Sequence, residues 1–200
     1  MTARTIGVEE RRARLAARHL LLPASRTDDV PGVADALVAL HSSDPVSVYL
    51  SAFARMRTPL VPAVEKALYD DRSVVRHHGM RRTLWVATPD VVRLIHAAAT
   101  RRLFLVEHRR TAKLLGEAGV ADPEQWLRTA REHVLTALHE HGAMSARTLG
   151  ETVPELRQPL VLAAGSRNEI TVAAHTRVLL QLAFEGEIIR ARPVGSWVSG

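Results

Sequence analysis

Twice along this chain a helical period of apolar residues gives way to a short β-prone pair of segments around a turn, and this alternation limits the possible folds more than any other feature. Residues 8–22 are helix-periodic, with Leu15 and His19 four apart and Arg11, Arg14 and Arg18 on a basic flank. Pro23 and the polar run 25–29 break that pattern. A second helix is expected over residues 32–41, with Val33, Leu37 and Leu40 on one face. Ser42-Ser43-Asp44-Pro45 reads as a stop and a restart, because serine and aspartate cap helices and proline suits a first turn. A third helix over 45–56 and a short one over 61–69 follow. Residues 73–76 and 83–86 are then β-prone, which predicts a hairpin with a basic tip of Arg76, His77, His78, Arg81 and Arg82.

The second block repeats the theme. Residues 89–116 read as one or two arginine-rich helices, and the stretch 119–123 is a turn. A helix over 123–141 stops at Gly142, and Ser145 caps a short helix carrying Arg147. Residues 154–172 have no clear period, and 163–168 look like a loop. Residues 172–185 are helical, with Val178, Leu179, Leu182 and Ala183 facing inward and His175, Arg177 and Gln181 outward. Residues 187–192 and 196–199 then predict a hairpin bearing Arg190 and Arg192. Helices followed by a basic hairpin are what a winged helix requires, one helix entering a groove while the wing touches the backbone beside it. A small helical domain with a packing hairpin is the alternative for the second block.

The expected fold class is therefore mainly α with small β-hairpins: tandem winged-helix units joined by a helical section. Residues 1–88 form the first unit, 89–122 the connector and 123–200 the second. The last expected strand ends at the chain terminus, so the second wing reads as truncated.

Charge points to the partner. The formal net charge is +6, and only Lys66 and Lys113 among 27 basic residues are lysines. Arginine presents a planar fork that fits phosphate oxygens and guanine edges. Double-stranded DNA is the expected partner, with Arg76, Arg81 and Arg82 as first phosphate contacts and Arg147, Arg177, Arg190 and Arg192 as further ones; a solvated arginine face is the plainer alternative. His77 and His78 read as facing solvent or phosphate rather than a metal, and neither metal nor cofactor is expected. Tyr49 and Trp85 read either as core aromatics or as rings that stack on an exposed base. The chain has no cysteine, which excludes disulfides and thiolate chemistry, and no apolar run nears the roughly 18–20 residues that span a bilayer. The expected setting is cytoplasmic and nucleoid-associated.

Three segments carry a family resemblance. They are residues 39–45 with 48–55 (Ala-Leu-His-Ser-Ser-Asp-Pro, then Val-Tyr-Leu-Ser-Ala-Phe-Ala-Arg), residues 75–84 (Val-Arg-His-His-Gly-Met-Arg-Arg-Thr-Leu), and residues 190–197 (Arg-Ala-Arg-Pro-Val-Gly-Ser-Trp). Together they resemble the bacterial AlkZ and YcaQ DNA glycosylases. That resemblance implies tandem winged helices curved around DNA, no metal, and hydrolysis of the bond between an alkylated purine and its sugar, with bulky adducts and interstrand crosslinks as substrates. The family's catalytic motif is Gln, an apolar residue, then Gln or Asp. Its polar positions fall on His41 and Ser43, so this chain departs from the motif at both. A neutral imidazole at His41 can take a proton from water, Ser43 can orient that water, and Asp44 can hold the imidazole or stabilise cationic charge. In the alternative, Ser42, Ser43 and Asp44 only cap the next helix, and the protein is a non-catalytic DNA binder or one that contacts protein partners.

Overall fold

The computed structural model describes residues 5–193, which fall into two compact units. One runs to Ile95 and takes in the segment that begins at Arg192; the other is His96–Ala191. Helices dominate and the strands are short.

In the first unit α1 (Val8–Arg18) is amphipathic but buries none of its residues. The compact part follows: α2 (Val30–Ala36), β1 (Leu40–His41), α3 (Pro45–Phe53), α4 (Val61–Glu65, prolonged by a π turn over Lys66–Asp70), β2 (Val75–His78), β3 (Leu84–Ala87) and α5 (Pro89–Ile95). The second helix thus ends earlier than its apolar period suggests, because Leu40 and His41 leave it to pair with Val86 and Trp85. The antiparallel sheet has the order β1-β3-β2, and its core face is filled by Leu40 and Val86 against Val33, Val48, Ala52, Met56, Val64 and Val74. Fully burying one such aliphatic side chain stabilises by about 1.5–3 kcal/mol, so this cluster holds the short strands in place.

The expected hairpin forms, with its first strand shifted two residues toward the turn and its second starting one residue later. His77 and His78 belong to β2, paired with Trp85 and Leu84, and are only 6% and 9% exposed. This corrects their expected place at a solvent-facing tip. The tip is narrower: Thr83 N–H donates to Met80 O at 3.2 Å across Arg81 and Arg82, both left-handed at φ 56° and 63°. Two successive left-handed residues make a type I′ turn, which matches strand twist but normally uses Asn-Gly. Side chains larger than glycine cost about 1–2 kcal/mol each there.

The second unit comprises a π turn (His96–Thr100), α6 (Arg101–Glu117), α7 (Pro123–His141), α8 (Ala146–Thr152), β4 (Pro159–Leu162), β5 (Ile170–Ala173) and α9 (His175–Glu185). The expected cap at Ser145 and stop at Gly142 both form, and Asp122, at the expected turn, adds a further cap. Asp122 accepts from Gln125 N at 2.9 Å and Ser145 from Thr148 N at 3.1 Å, while Gly142 takes φ 74° to end α7. Leu115, Ala130, Val134, Leu149, Leu156, Leu160, Val178 and Leu182 form the core.

Two expectations fail here. The antiparallel hairpin β4–β5 lies before α9, largely in the segment that shows no clear period, and residues 172 and 173 belong to a strand rather than to the start of that helix. Residues 187–193 carry no strand: Ile188 packs on the core beside α9, and Arg192 engages acidic side chains instead of a ladder partner. The rest of the expected second wing, and the final part of the third resemblance segment, lie outside the described residues.

Candidate active site

The loop that joins β1 to α3 alternates in exposure. His41 and Ser43 are exposed, while Ser42 between them is fully buried. The alternation comes from the ladder: Leu40 faces the core opposite Val86, so His41 takes the other face opposite Trp85. Ser42 N–H then donates to Leu84 O at 2.8 Å, which extends the pairing by one residue and turns Ser42 inward. Its hydroxyl is buried without a hydrogen-bond partner.

Three further contacts fix this loop. Arg76 reaches from β2 and donates from Nη2 to Ser42 O at 2.9 Å. Arg76 is half-buried and acts as a brace under the loop; its expected place at the hairpin tip is corrected accordingly. Asp44 caps α3, its Oδ1 accepting from Val46 N at 3.0 Å. The His41 ring meets the Trp85 ring edge-on, with centroids 5.0 Å apart and planes at 77°. The sheet register places His41, Trp85 and His77 in one cross-strand row.

The arrangement is an exposed imidazole with a hydroxyl two residues on, held by a backbone whose amide and carbonyl are both tied. Such a pair can hold one water against a substrate that approaches from the exposed side. Met80, Arg81 and Arg82 stand exposed at the hairpin tip of the same unit. Tyr49 lies in the core at 5% exposure, edge-on to Phe53 at 6.4 Å, so it is no stacking platform. Burial is the main cause that pushes its hydroxyl far above the usual tyrosine range, helped by Tyr69 and Glu65.

The family model for AlkZ-like DNA glycosylases matches residues 34–199, a span that includes the His41 loop and the hairpin. The chain belongs to the AlkZ-like DNA glycosylase family. No curated protein and no solved structure matches it.

DNA is accordingly the substrate of this AlkZ-like protein at the level of the family, and its arginines divide into two sets. Arg81, Arg82 and Arg147 are exposed, and Arg147 also lies 3.4 Å from Glu151 one helical turn on; Arg190 is exposed as a residue, but burial around its guanidinium lowers its pKa. Arg177 is different. It is only 15% exposed and its Nη1 lies 3.4 Å from Oε2 of Glu107, itself 1% exposed, so it is an internal counter-charge. Arg192 is engaged by Glu65 and, at 3.0 Å, by Asp70, and its guanidinium lies 5.0 Å over the Tyr69 ring. Both guanidiniums expected to contact phosphate are thus met by acidic side chains distant in sequence. Gln181 and Arg177, expected on the outer face of α9, turn inward. Among the described residues no cluster of three His, Asp or Glu side chains is placed to hold a metal, and no helix is long and apolar enough to cross a membrane.

Proposed function

We infer that this AlkZ-like protein is a monofunctional glycosylase for alkylated purines, including bulky and crosslinked adducts, and that His41 and Ser43 carry the chemistry. The observation that carries the reading is the alternation at 41–43: the two positions that match the polar residues of the family motif are exposed, and the apolar position between them is buried. An N7- or N3-alkylated purine already bears positive charge and leaves without strong acid help. Water attacks C1′ of the sugar, the C1′–N9 bond breaks, and its electron pair neutralises the purine cation. His41, as neutral imidazole, takes the proton that the water loses. Ser43 orients the water, and Asp44 is a positioning residue that fixes the turn through its cap.

The order helix, strand, helix, helix, strand, turn, strand in residues 30–87 supports reading this unit as a winged helix whose wing tip is Arg81-Arg82. Both guanidiniums at an exposed turn suit contacts to phosphates, with Arg147 and Arg190 as further contacts. His41 is exposed among the described residues, which suits a bulky adduct better than a closed base pocket would.

Duplexes carrying N7-methylguanine, a bulky N7 adduct or an N7–N7 crosslink, treated with protein and then with alkali, test the reading. Strand breaks from the bulky and crosslinked duplexes are expected. Breaks from the methyl lesion alone would remove the bulky-adduct assignment, and none from any would remove the glycosylase reading. The departure of His41 and Ser43 from the family's Gln and Gln/Asp favours a second reading, a non-catalytic DNA binder. Its signature is tight binding to an undamaged sequence that His41→Ala leaves unchanged.

A further inference from the structure

We propose that the outer face of α6, centred on Arg102 and Arg109 and ending at a cleft that Arg110 and Lys113 share with the β4–β5 hairpin, grips the phosphate backbone of duplex DNA. Glu107, Thr111 and Leu115 fix the buried side of α6, which turns Arg101, Arg102, Arg109, Arg110 and Lys113 outward, all of them exposed. The inference rests on DNA as the substrate of the family and not on any chemistry at His41.

Several exposed arginines on other helices have an acid one turn away: Arg12 has Glu9 and Arg14 has Glu10 in α1, Arg93 has Asp90 in α5, and Arg147 has Glu151 in α8. Such pairs are what a merely solvated helix face carries. The face of α6 differs. Among the described residues no acid meets Arg101, Arg102, Arg109 or Arg110. The acids of α6 itself are Glu107, buried and turned to Arg177, and Glu117, 3.6 Å from Lys113. Arg109 and Lys113, four residues apart, repel each other and weaken the helix, and an anionic partner relieves that repulsion.

The spacing suits a line of phosphates. At 1.5 Å per residue Arg102 and Lys113 stand about 16 Å apart along the axis, with Arg109 between them. The major groove is about 12 Å wide, so cations at the two ends of this stripe reach phosphates on both of its edges. Each guanidinium offers a planar fork to a phosphate. Toward the end of the stripe Arg110 and Lys113 line a cleft of about 290 Å³ together with Val161, Ala163 and Ala164 of the hairpin. The short side chains at 163 and 164 leave room for a sugar–phosphate unit beside two cations. Arg167 of the same turn is exposed and meets no acid among the described residues, while the acid there, Glu169, is occupied by the Gly165 N–H at 2.7 Å. Leu105 and Val106, 56% and 53% exposed among the cations, suit the apolar edges of deoxyribose.

Fluorescence anisotropy of an undamaged duplex across a salt series, with the full chain and with Arg102→Gln, Arg109→Gln and Arg110→Gln combined, tests this. The slope of log affinity against log salt is expected to fall by about 2–3, at roughly 0.9 per phosphate contact. Glutamine has a helix propensity close to that of arginine, so the variant is expected to keep its unfolding temperature. Should it fail to fold, the unaltered chain answers the same question: duplex is expected to slow phenylglyoxal modification of Arg102, Arg109 and Arg110 severalfold, read by mass spectrometry. Both readouts use undamaged DNA, so absence of base release, which would remove the glycosylase reading, leaves them intact. An unchanged salt slope in the combined variant, or modification that duplex does not slow, overturns the proposal. So does a polyglutamate peptide that competes as well as duplex, charge for charge, since that assigns the stripe to an acidic protein.

Discussion

His41 and Trp85 face each other across the β1–β3 ladder, with ring centroids 5.0 Å apart and planes at 77°. An edge-to-face aromatic contact of this kind contributes about 0.5–1.5 kcal/mol beyond area burial, enough to favour one orientation of an otherwise exposed imidazole. Trp85 is itself placed by Gly79. A Cβ at Gly79 would lie 2.9 Å from Trp85 Cδ1 and 3.0 Å from Ile95 Cγ2.

Gly79→Ala therefore has to displace Trp85, and through it His41. The expected cost is about 1–3 kcal/mol of stability, with base release slowed by about ten- to a hundredfold. Thermal unfolding and single-turnover kinetics measure the two. A variant with wild-type kinetics would show that the Trp85 contact does not position the imidazole.

Ser42 occupies the position that the family motif gives to an apolar residue, and its hydroxyl is buried without a partner. Ser42→Ala is expected to leave stability unchanged or raise it by about 1 kcal/mol, with base release unaffected. Chemical denaturation reads the first and the glycosylase assay the second. A loss of activity without loss of stability would give Ser42 a role in the chemistry.

The two sets of arginines predict opposite behaviour. Removing exposed Arg81 and Arg82 together is expected to reduce the slope of log affinity against log salt by about 2, with little change in unfolding temperature. Arg177→Leu withdraws a cation from buried Glu107, and about 3–5 kcal/mol of stability is expected to go with it. Fluorescence anisotropy across a salt series, paired with calorimetry, separates the outcomes. A reduced salt slope at unchanged stability in Arg177→Leu would return that residue to the DNA surface.

Burial raises the pKa of Glu185, against the opposing pull of Arg131. The folded state thus favours the protonated form. This contribution to stability is full below the ordinary glutamate pKa of about 4.3 and is lost as pH rises through the raised value. Glu185→Gln cannot lose it. The unfolding temperature of the variant relative to wild type is expected to increase from pH 4 to pH 7, and a decrease would show that the Arg131 pair outweighs burial.

The first unit was largely readable in the sequence because α3 carries its own cap and the segments of its hairpin are β-prone. Asp44, Pro45 and the β-prone runs around Gly79 state the local geometry outright. What the chain order hides is long-range pairing. Nothing near Leu40 announces that it will leave a helix to join Val86, and that pairing sets the exposure of His41, Ser42 and Ser43. Arginines were the least legible, since a guanidinium on a periodic outer face reads as solvated until an acid such as Glu107, 70 positions away, is seen to meet it. In the second unit a hairpin with glycine and serine in its loop was hidden by the lack of alternation in residues 159–173, where one strand pairs through Pro159.

The central claim is that His41 and Ser43 hydrolyse the glycosidic bond. Chromatographic quantification of purine released from an N7-alkylguanine duplex, with wild type, His41→Ala and Ser43→Ala in parallel, tests it most directly. Because Ser43 is exposed, Ser43→Ala is expected to keep its unfolding temperature, while His41→Ala gives up only the edge contact with Trp85, about 0.5–1.5 kcal/mol. His41→Ala is expected to lower the rate of release by about 10²–10⁴-fold and Ser43→Ala by a smaller factor, with duplex affinity retained. Release by His41→Ala at the wild-type rate would contradict the account.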